Sequence, residues 1–239
     1  MSKKLALVLC GYHYIEGCPS MYFKKGRLVD YTVSIDNYKK YIFDYFNSLD
    51  YKIDVFISSY HSKKENKLLD DYKPVAYKLI DPITNWSSGF KYRSKNKILI
   101  DGIKLVLNHK ENYDNVLITR FDIIFMKDFS SCNINLNKFL LVSTCVRKKE
   151  EIMVDDNFYL FPYKIINLFL NIMQNTIHIQ GEYKHKYFKE LDIDYILDEG
   201  PIEIHRLTFF KIIRQDNDTK KIYLLYPQKI VPIENVIKK

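Results

Sequence analysis

Short apolar runs alternate with amphipathic segments along the first half of the chain. The runs lie at 5–10, 54–58, 75–80 and 116–118, each bounded by polar or turn-forming residues. Runs of this length and of continuous hydrophobicity are typical of strands that are buried on both faces of a sheet. We therefore predict four buried strands in this half of the chain.

Between these runs, apolar residues recur at spacings of three and four, which is the pattern of an amphipathic helix. One such stripe runs from Tyr38 to Leu49 and predicts a helix that begins near Ser34 or Asp36. A second stripe predicts a helix around 99–107. Alternation of strand and helix with continuous apolar strands is typical of a parallel sheet that is covered on both sides. The predicted fold is α/β, with a mostly parallel central sheet and helices on both faces.

The second half of the chain shows a weaker pattern of the same kind. The charged run 147–151 predicts a loop. An apolar stripe at 165–173 predicts a buried helix, with Pro162 at or near its first turn. The remaining predicted elements are strands at 139–143, 157–161, 209–213 and 222–225 and a helix near 183–191.

Composition agrees with a folded domain. The 239 residues are 47% hydrophobic and 15% aromatic, which is enough for one large core. No run approaches the roughly 18 apolar residues that cross a membrane, and the apolar run after the two N-terminal lysines is shorter than a signal-peptide core. We expect a cytoplasmic protein without a transmembrane segment. Reduced thiols are expected, because no CxxC pair or zinc-finger spacing is found among Cys10, Cys18, Cys132 and Cys145.

The formal net charge is +8, which permits binding to nucleic acid, anionic lipid or a phosphorylated small molecule. The lysines come as spread pairs rather than as one dense patch. This distribution favours a solvated, lysine-rich surface over a nucleic-acid interface. Twenty tyrosines imply an aromatic exterior that would accommodate a homodimer.

Polar or aromatic residues follow three of the predicted strands directly, at 11–14, 58–61 and 119–122. Ligands of parallel sheets bind in the crevice beyond the carboxyl ends of the strands, so these segments predict a site. Within the last segment, Arg120 and Asp122 are two residues apart and share one face of the strand.

These charges have two interpretations. Asp122, with Asp155 and Asp156 on a later segment, supplies oxygen ligands that suit Mg or Mn, and Arg120 suits a phosphate. The alternative is an internal ion pair of Arg120 with Asp122 or Asp156 that closes the sheet edge without catalysis.

Four further residues are weighed as ligands, and for each a structural role is favoured. His13 and His61 follow strands, where a lone histidine is usually polar surface. Trp86 is more simply a core or loop anchor than a platform for a sugar ring. Glu203 is more simply a surface residue than an acceptor contact.

The stretch VLITRFDIIF, preceded by Tyr113-Asp114 and followed by Asp155-Asp156-Asn157-Phe158-Tyr159, resembles the pattern of GT-A-type glycosyltransferases. It is similar in particular to small bacterial and large-DNA-virus enzymes of polysaccharide synthesis, which carry an R-x-D element in place of D-x-D. LVLCGYHY resembles their first strand and nucleotide loop, KIDVFISSY their second strand, and NWSSGFKYRSKNKILIDGIKLV a helix with basic residues. The resemblance covers about residues 4–170.

The resemblance implies transfer of a hexosyl or deoxyhexosyl group from a nucleotide sugar to a glycan or another hydroxyl acceptor. It also implies one GT-A-like domain over 1–239, with a Rossmann-like nucleotide-binding half at 1–128 and an acceptor-side half at 129–239. The acceptor side would place Asp155 or Asp156 near the reacting hydroxyl, where an inverting enzyme needs a general base.

On the nucleotide side, the resemblance places a metal, Mn or Mg, on Asp122 with Arg120 beside it. Because Arg120 stands where a D-x-D enzyme has its first aspartate, metal dependence stays open. The other residues that it assigns to the nucleotide are Gly11, Tyr12 and Ser59 near the base and ribose, and Arg93 or Lys97 at the diphosphate.

Two other classes of function stay open. One is a phosphoryl-transfer enzyme or nuclease that uses Asp122, Asp155 and Asp156 as a metal cluster. Against it, the chain has no G-x-x-x-x-G-K-[ST] loop and no third acidic residue at motif spacing. The other is a basic nucleic-acid-binding module, but the chain carries no helix-turn-helix, zinc-finger or RNP-type signal. No specific nucleic acid is expected as a partner.

Overall fold

The computed structural model describes residues 2–18, 24–82, 88–132, 134–142, 144–146, 152–154, 157–179, 181–196, 209–226 and 229–232. The strands in this part of the chain are β1 (Lys3–Cys10), β2 (Tyr14–Cys18), β3 (Arg27–Asp30), β4 (Tyr51–Tyr60), β5 (Ala76–Ile80), β6 (Asn115–Arg120), β7 (Ile123–Phe125), β8 (Phe139–Leu141), β9 (Thr144–Val146), β10 (Ile152–Val154), β11 (Phe158–Pro162), β12 (Ile193–Tyr195), β13 (Phe210–Asp216), β14 (Ile222–Tyr226) and β15 (Lys229–Pro232). The α-helices are α1 (Ile35–Tyr38), α2 (Asp44–Ser48), α3 (Glu65–Tyr72), α4 (Ser88–Asn108) and α5 (Ile166–Asn175). A π-helical stretch, Lys39–Phe43, joins α1 to α2, and 3-10 helices lie at Tyr31–Val33, Phe129–Ser131, Tyr163–Ile165 and Gly181–Tyr187.

The central sheet has seven strands in the order β12-β8-β11-β6-β1-β4-β5. β1 pairs in parallel with β4 and β6, and β4 pairs in parallel with β5. β11 is antiparallel to both of its neighbours, β6 and β8. The sheet is therefore mostly parallel, as the alternation of strands and helices predicts.

The order of the strands reverses beside β1. The chain proceeds outward from β1 to β4 and β5 on one side, and then returns to place β6 on the other side. This switch in direction leaves a crevice at the carboxyl ends of the two diverging strands. β1 and β6 end at paired residues, Cys10 and Arg120, so the crevice begins at Arg120.

Both faces of the sheet are covered, because its strands are apolar on both sides. Alternate residues of a strand point to opposite faces. One face of β1 packs with the helical segment 35–48, and the residues that meet there include Leu5, Leu7, Leu9, Tyr38, Ile42 and Phe46. The other face packs against α4 and α5, through residues that include Ala6, Val8, Ile103, Val106, Phe169 and Met173.

α4 approaches the sheet closely at Gly102. A Cβ atom on this glycine would lie 2.6 Å from Val8 Cγ1 and 3.4 Å from Ser58 Cβ. Only a residue without a side chain fits between the helix and β1 at this position.

A second, antiparallel sheet runs in the order β15-β14-β13-β3-β2, and β7 also pairs with β13. β7 follows β6 after only Phe121 and Asp122, so the two residues pass from one sheet to the other. The Ile213 N–H of β13 donates to the Asp122 carbonyl at 2.8 Å and fixes this crossing. Each sheet contains strands from both halves of the chain. β9 and β10 form a separate antiparallel pair.

The predicted strands and helices of the first half are confirmed, as are the helix at 165–173 and the strands at 157–161, 209–213 and 222–225. Pro162 is the last residue of β11 and caps the 3-10 helix that leads into α5. The helix predicted near 183–191 is instead a 3-10 helix, Gly181–Tyr187. The predicted strand at 139–143 is shorter, and the predicted loop at 147–151 lies outside the described residues. Within the part of the chain that is described, no helix has both the length and the apolar composition needed to cross a membrane.

Candidate functional site

Arg120 and Asp122 form a two-point ion pair at the end of β6. Arg120 Nε lies 2.7 Å from Asp122 Oδ1, and Arg120 Nη2 lies 2.5 Å from Asp122 Oδ2. Arg120 Nη1 also donates to Asn157 Oδ1 at 2.8 Å. The Asp122 side chain is 8% exposed and that of Arg120 is 22% exposed. The prediction that these charges share one face is confirmed, and they contact each other directly.

The backbone around this pair is held by hydroxyl groups of α1 and of Ser34, the residue before it. Ser34 Oγ donates to the Phe121 carbonyl at 2.7 Å, and Tyr38 Oη donates to the Arg120 carbonyl. The Asn37 side chain makes two hydrogen bonds to the backbone of Phe125 in β7. It donates to the Phe125 carbonyl at 2.9 Å and accepts from the Phe125 N–H at 2.8 Å. Burial raises the pKa of the Tyr38 hydroxyl well above its usual value, so it stays a donor. The R-x-D segment is therefore fixed before any ligand arrives.

A second arginine reaches the same carboxylate from the other sheet. Arg27 Nη1, on β3, lies 3.8 Å from Asp122 Oδ2, and the Arg27 side chain is 17% exposed. Arg27 Nε donates to the buried Cys18 thiol at 3.3 Å. Sequence reasoning missed Arg27, because it sits in a lysine-rich stretch with no strand signal. Its partner Asp122 is almost 100 residues away in the chain.

Gly11 and Ser59 lie at the adjoining strand ends. Gly11 has a φ of 102°, a backbone conformation that side-chain-bearing residues avoid. Its N–H donates to the Ser58 carbonyl at 3.1 Å, and its own carbonyl accepts from Ser59 Oγ at 2.7 Å. The structure therefore brings together Gly11 of the predicted nucleotide loop and Ser59 of the second predicted strand, next to the strand end that carries Arg120.

His13 is fully buried beneath this loop, so its interpretation as polar surface is wrong. His13 Nδ1 lies 2.7 Å from Ser59 Oγ, and Nε2 lies 2.7 Å from Ser62 Oγ. Because the single Ser59 hydroxyl proton is donated to the Gly11 carbonyl, His13 Nδ1 is the donor and Nε2 is the acceptor. Burial lowers the His13 pKa to about 4, partly offset by the charges of Glu65 and Asp30, so the ring is neutral at pH 7. His61, by contrast, is exposed and pairs with Glu65.

Tyr12 stacks on Tyr60 where β1 and β4 end. The ring centroids are 4.0 Å apart and the planes differ by 16°. Tyr60 is buried, whereas Tyr12 is half-buried. The pair places an aromatic surface at the carboxyl edge, next to Gly11.

Of the remaining predicted site residues, the structure describes only part. Lys97 is exposed on α4. Arg93 lies within α4, but its side chain is outside the described residues. Asp155 and Asp156, the predicted catalytic pair, lie outside the described residues, as do Trp86 and Glu203.

The surroundings of Asp122 do not suit a divalent cation. Both carboxylate oxygens accept from Arg120, and a second guanidinium, that of Arg27, lies 3.8 Å from Oδ2. Mg and Mn need oxygen ligands rather than cations as neighbours. Among the described residues, no group of three His, Cys, Asp or Glu side chains is placed to hold a metal ion. The described residues around Asp122 therefore do not by themselves form the metal site expected there, and Asp155 and Asp156, the other expected carboxylates, lie outside the described residues.

An open, largely polar cavity of about 930 Å³ lies at the other end of the central sheet, where β1, β4 and β6 begin. Its polar lining is internally bonded: Tyr51 Oη donates to Asn115 Oδ1 at 2.7 Å, and Asn115 Nδ2 donates to the Leu136 carbonyl at 2.7 Å. Burial raises the Tyr51 pKa to about 12, so its hydroxyl is neutral at pH 7. The Arg120–Asp122 pair lies away from this cavity, at the carboxyl ends of the parallel strands.

Sequence comparisons assign no family to this arrangement. No protein-family model matches the chain, and no curated protein matches it in sequence.

Proposed function

We propose that the chain is a glycosyltransferase that takes a sugar from a nucleotide-sugar donor and passes it to a hydroxyl acceptor. The observation that carries the proposal is the placement of the Arg120–Asp122 pair. A partly exposed guanidinium, fixed by a carboxylate, stands where the central strand ends at the switch point of the sheet. Doubly wound sheets bind nucleotides at that point.

The neighbouring groups suit a nucleotide in the same crevice. The Tyr12–Tyr60 stack places aromatic rings at the crevice, where a base would be recognised, and Gly11, which has no side chain, lets the backbone approach a ligand closely. A Cβ atom on Gly11 would meet nothing within 4 Å, so space lies beside it. Arg120 pairs across the strands with Cys10, the residue before Gly11. Its guanidinium suits the phosphates of the nucleotide.

In the proposed reaction, the bond from the anomeric carbon to the donor's phosphate oxygen breaks, and its electron pair leaves on the nucleoside diphosphate. A new bond forms from the acceptor oxygen to the same carbon, and the hydroxyl proton passes to a base. Asp155 or Asp156 is the candidate base from sequence. The guanidinium of Arg120 stabilises the charge that develops on the leaving diphosphate.

Thermal shift against UDP, GDP and dTDP, each with Mn or with EDTA, tests the proposal. A ligand that binds only the folded state stabilises it by about 2.7 kcal/mol at one hundred times its Kd. We expect one nucleotide to raise the melting temperature, and Arg120→Gln to lose that rise relative to its own ligand-free value. Lys104→Gln, an exposed position on α4 with the same change of charge, should keep it.

A matching nucleotide sugar should then be consumed in the presence of glycan acceptors. If no nucleotide changes the melting temperature with or without Mn, the glycosyltransferase proposal is wrong. Strong, salt-dependent binding to oligonucleotides would then favour the nucleic-acid-binding module.

A further inference from the structure

Two arginines from different sheets converge on a single carboxylate. Arg120 ends β6 of the central sheet, Arg27 begins β3 of the antiparallel sheet, and both face Asp122. The three side chains carry two positive charges and one negative charge. These three side chains by themselves sum to a net positive charge, and they lie where the carboxylate is 8% exposed and water screens weakly.

The two guanidinium groups are not equivalent. Arg120 uses Nε, Nη1 and Nη2 in bonds to Asp122 and Asn157. Arg27 uses Nε on the Cys18 thiol, and its Nη1 lies 3.8 Å from Asp122, beyond hydrogen-bond distance. Among the described residues, neither terminal nitrogen of Arg27 makes a hydrogen bond. An arginine has five N–H donors, so Arg27 retains most of its capacity.

Arg27 is nevertheless held in place. The bond from its Nε to Cys18 fixes the side chain against β2, and β3 pairs with β13 at Arg27 and Asp216. β13 in turn holds the Asp122 backbone through Ile213. The terminal nitrogens of Arg27 are thus positioned beside Arg120 before a ligand binds, and the side chain is 17% exposed, so a ligand can reach it.

We propose that Arg27 and Arg120 together form a diphosphate-binding clamp, which replaces a divalent cation in neutralising the leaving nucleoside diphosphate. This inference rests on the proposed function and names the group that the site recognises. Planar guanidinium groups bond phosphate oxygens in pairs, and two of them match the two phosphates of the ligand. Asp122 orients Arg120, and Arg27 adds a second guanidinium whose terminal nitrogens can bond the ligand.

The clamp predicts selectivity for diphosphates that does not need metal. In EDTA, calorimetry should show that the wild-type protein binds its nucleoside diphosphate more tightly than the monophosphate of the same nucleoside. Arg27→Gln should weaken diphosphate binding by about 10- to 100-fold, since one set of charge-assisted hydrogen bonds is lost. Monophosphate binding should weaken by much less, so the ratio of the two affinities falls. A merely structural role for Arg27 would weaken both ligands alike.

Lys25→Gln is the matched control. Lys25 is two residues away, its side chain is 70% exposed, and the change of charge is the same. It should leave both affinities unchanged. Arg27→Lys is a second variant that keeps the charge if Arg27→Gln does not fold. We expect it to bind diphosphate with intermediate affinity, because a lysine cannot contact Cys18 and a phosphate together.

The outcomes separate the clamp from the glycosyltransferase proposal. In one outcome the wild-type protein binds nucleoside diphosphates in EDTA, and the Arg27 variants have the same ratio of diphosphate to monophosphate affinity as Lys25→Gln. The clamp is then wrong, whereas the glycosyltransferase proposal is unaffected. If binding requires Mn, a cation supplies the charge, and again only the clamp is wrong. If no nucleotide binds under either condition, both proposals fail.

Discussion

His13 Nδ1 lies 2.7 Å from Ser59 Oγ, and this buried contact ties the loop after β1 to the end of β4. Ser59 Oγ also donates to the Gly11 carbonyl, and His13 Nε2 accepts from Ser62 Oγ, so the hydrogen bonds form one chain. The neutral ring is therefore a structural part of the crevice floor rather than a group exposed to a ligand. This arrangement makes the crevice sensitive to acid.

We expect the free energy of unfolding to fall as the pH drops from about 6.5 to 4. In the folded state burial lowers the His13 pKa to about 4, whereas in the unfolded chain it is near 6.5. The unfolded state therefore binds the extra proton within this window and is favoured by it. The loss is complete below about pH 4 and amounts to about 3 kcal/mol.

Urea denaturation at a series of pH values measures this loss. His13→Gln should be less stable at pH 7, but the difference from the wild-type protein should shrink as the pH falls through the window. His178→Gln is the matched control, because His178 is exposed and the change of side chain is the same, and it should keep the wild-type slope. An unchanged slope in His13→Gln would show that other groups titrate instead.

Gly102→Ala should destabilise the fold although alanine is the better helix former. The new Cβ atom would lie 2.6 Å from Val8 Cγ1, so α4 or β1 must shift. Overpacking of this kind costs about 1 to 3 kcal/mol in the free energy of unfolding. Lys104→Ala, on an exposed position of the same helix, should be near neutral.

A double variant separates the clash from other effects of this alanine. In Val8→Ala the opposing methyl groups are removed, so Gly102→Ala should cost less in that background than in the wild-type protein. Equal costs in the two backgrounds would place the strain elsewhere, for instance at Ser58, whose Cβ atom is 3.4 Å from the point that the alanine Cβ atom would occupy.

The Arg120–Asp122 pair should show strong coupling in a double-mutant cycle. Removing one partner of a nearly buried ion pair leaves an uncompensated charge and costs about 3 to 5 kcal/mol. We expect Asp122→Asn and Arg120→Gln each to be destabilising, and the double variant to be more stable than the sum of the two losses implies. Chemical denaturation of the ligand-free proteins gives all four values. Additive losses would mean that the pair contributes no net interaction energy to the fold.

The central sheet could be predicted from sequence because its signals are local. Continuous apolar runs mark β1, β4 and β6, and stripes at spacings of three and four mark the helices that cover them. The position of Arg120 and Asp122 followed from the same runs, since both come directly after a buried strand.

The antiparallel sheet was not predictable in this way. β2 and β3 are short and carry polar residues, and β3 pairs with β13, which lies almost 190 residues further along the chain. Strand propensity depends on such partners, which the local sequence does not contain. Arg27 was missed for this reason, and His13 was misjudged because its burial depends on Ser59 and Ser62 of another strand end.

Under the proposed function, the Tyr12–Tyr60 stack is the expected contact for the base of the nucleotide. Tyr12 is half-buried with its ring 4.0 Å from that of Tyr60, so the stack presents a rigid aromatic surface at the crevice. Base–aromatic stacking contributes about 1 to 3 kcal/mol and tolerates every base, because each has a π-face. Tyr12→Ala should therefore weaken binding of the cognate nucleoside diphosphate by that amount.

Inorganic pyrophosphate distinguishes stacking from a general loss of the site. It contains the phosphates without the base, so its affinity should be the same in Tyr12→Ala and in the wild-type protein, by calorimetry. Tyr77→Ala, on the edge strand β5 with 53% of the residue exposed, should leave both ligands unaffected. A parallel loss of pyrophosphate binding in Tyr12→Ala would assign Tyr12 to the shape of the loop rather than to the base, because a contact with the base cannot alter a ligand that lacks one.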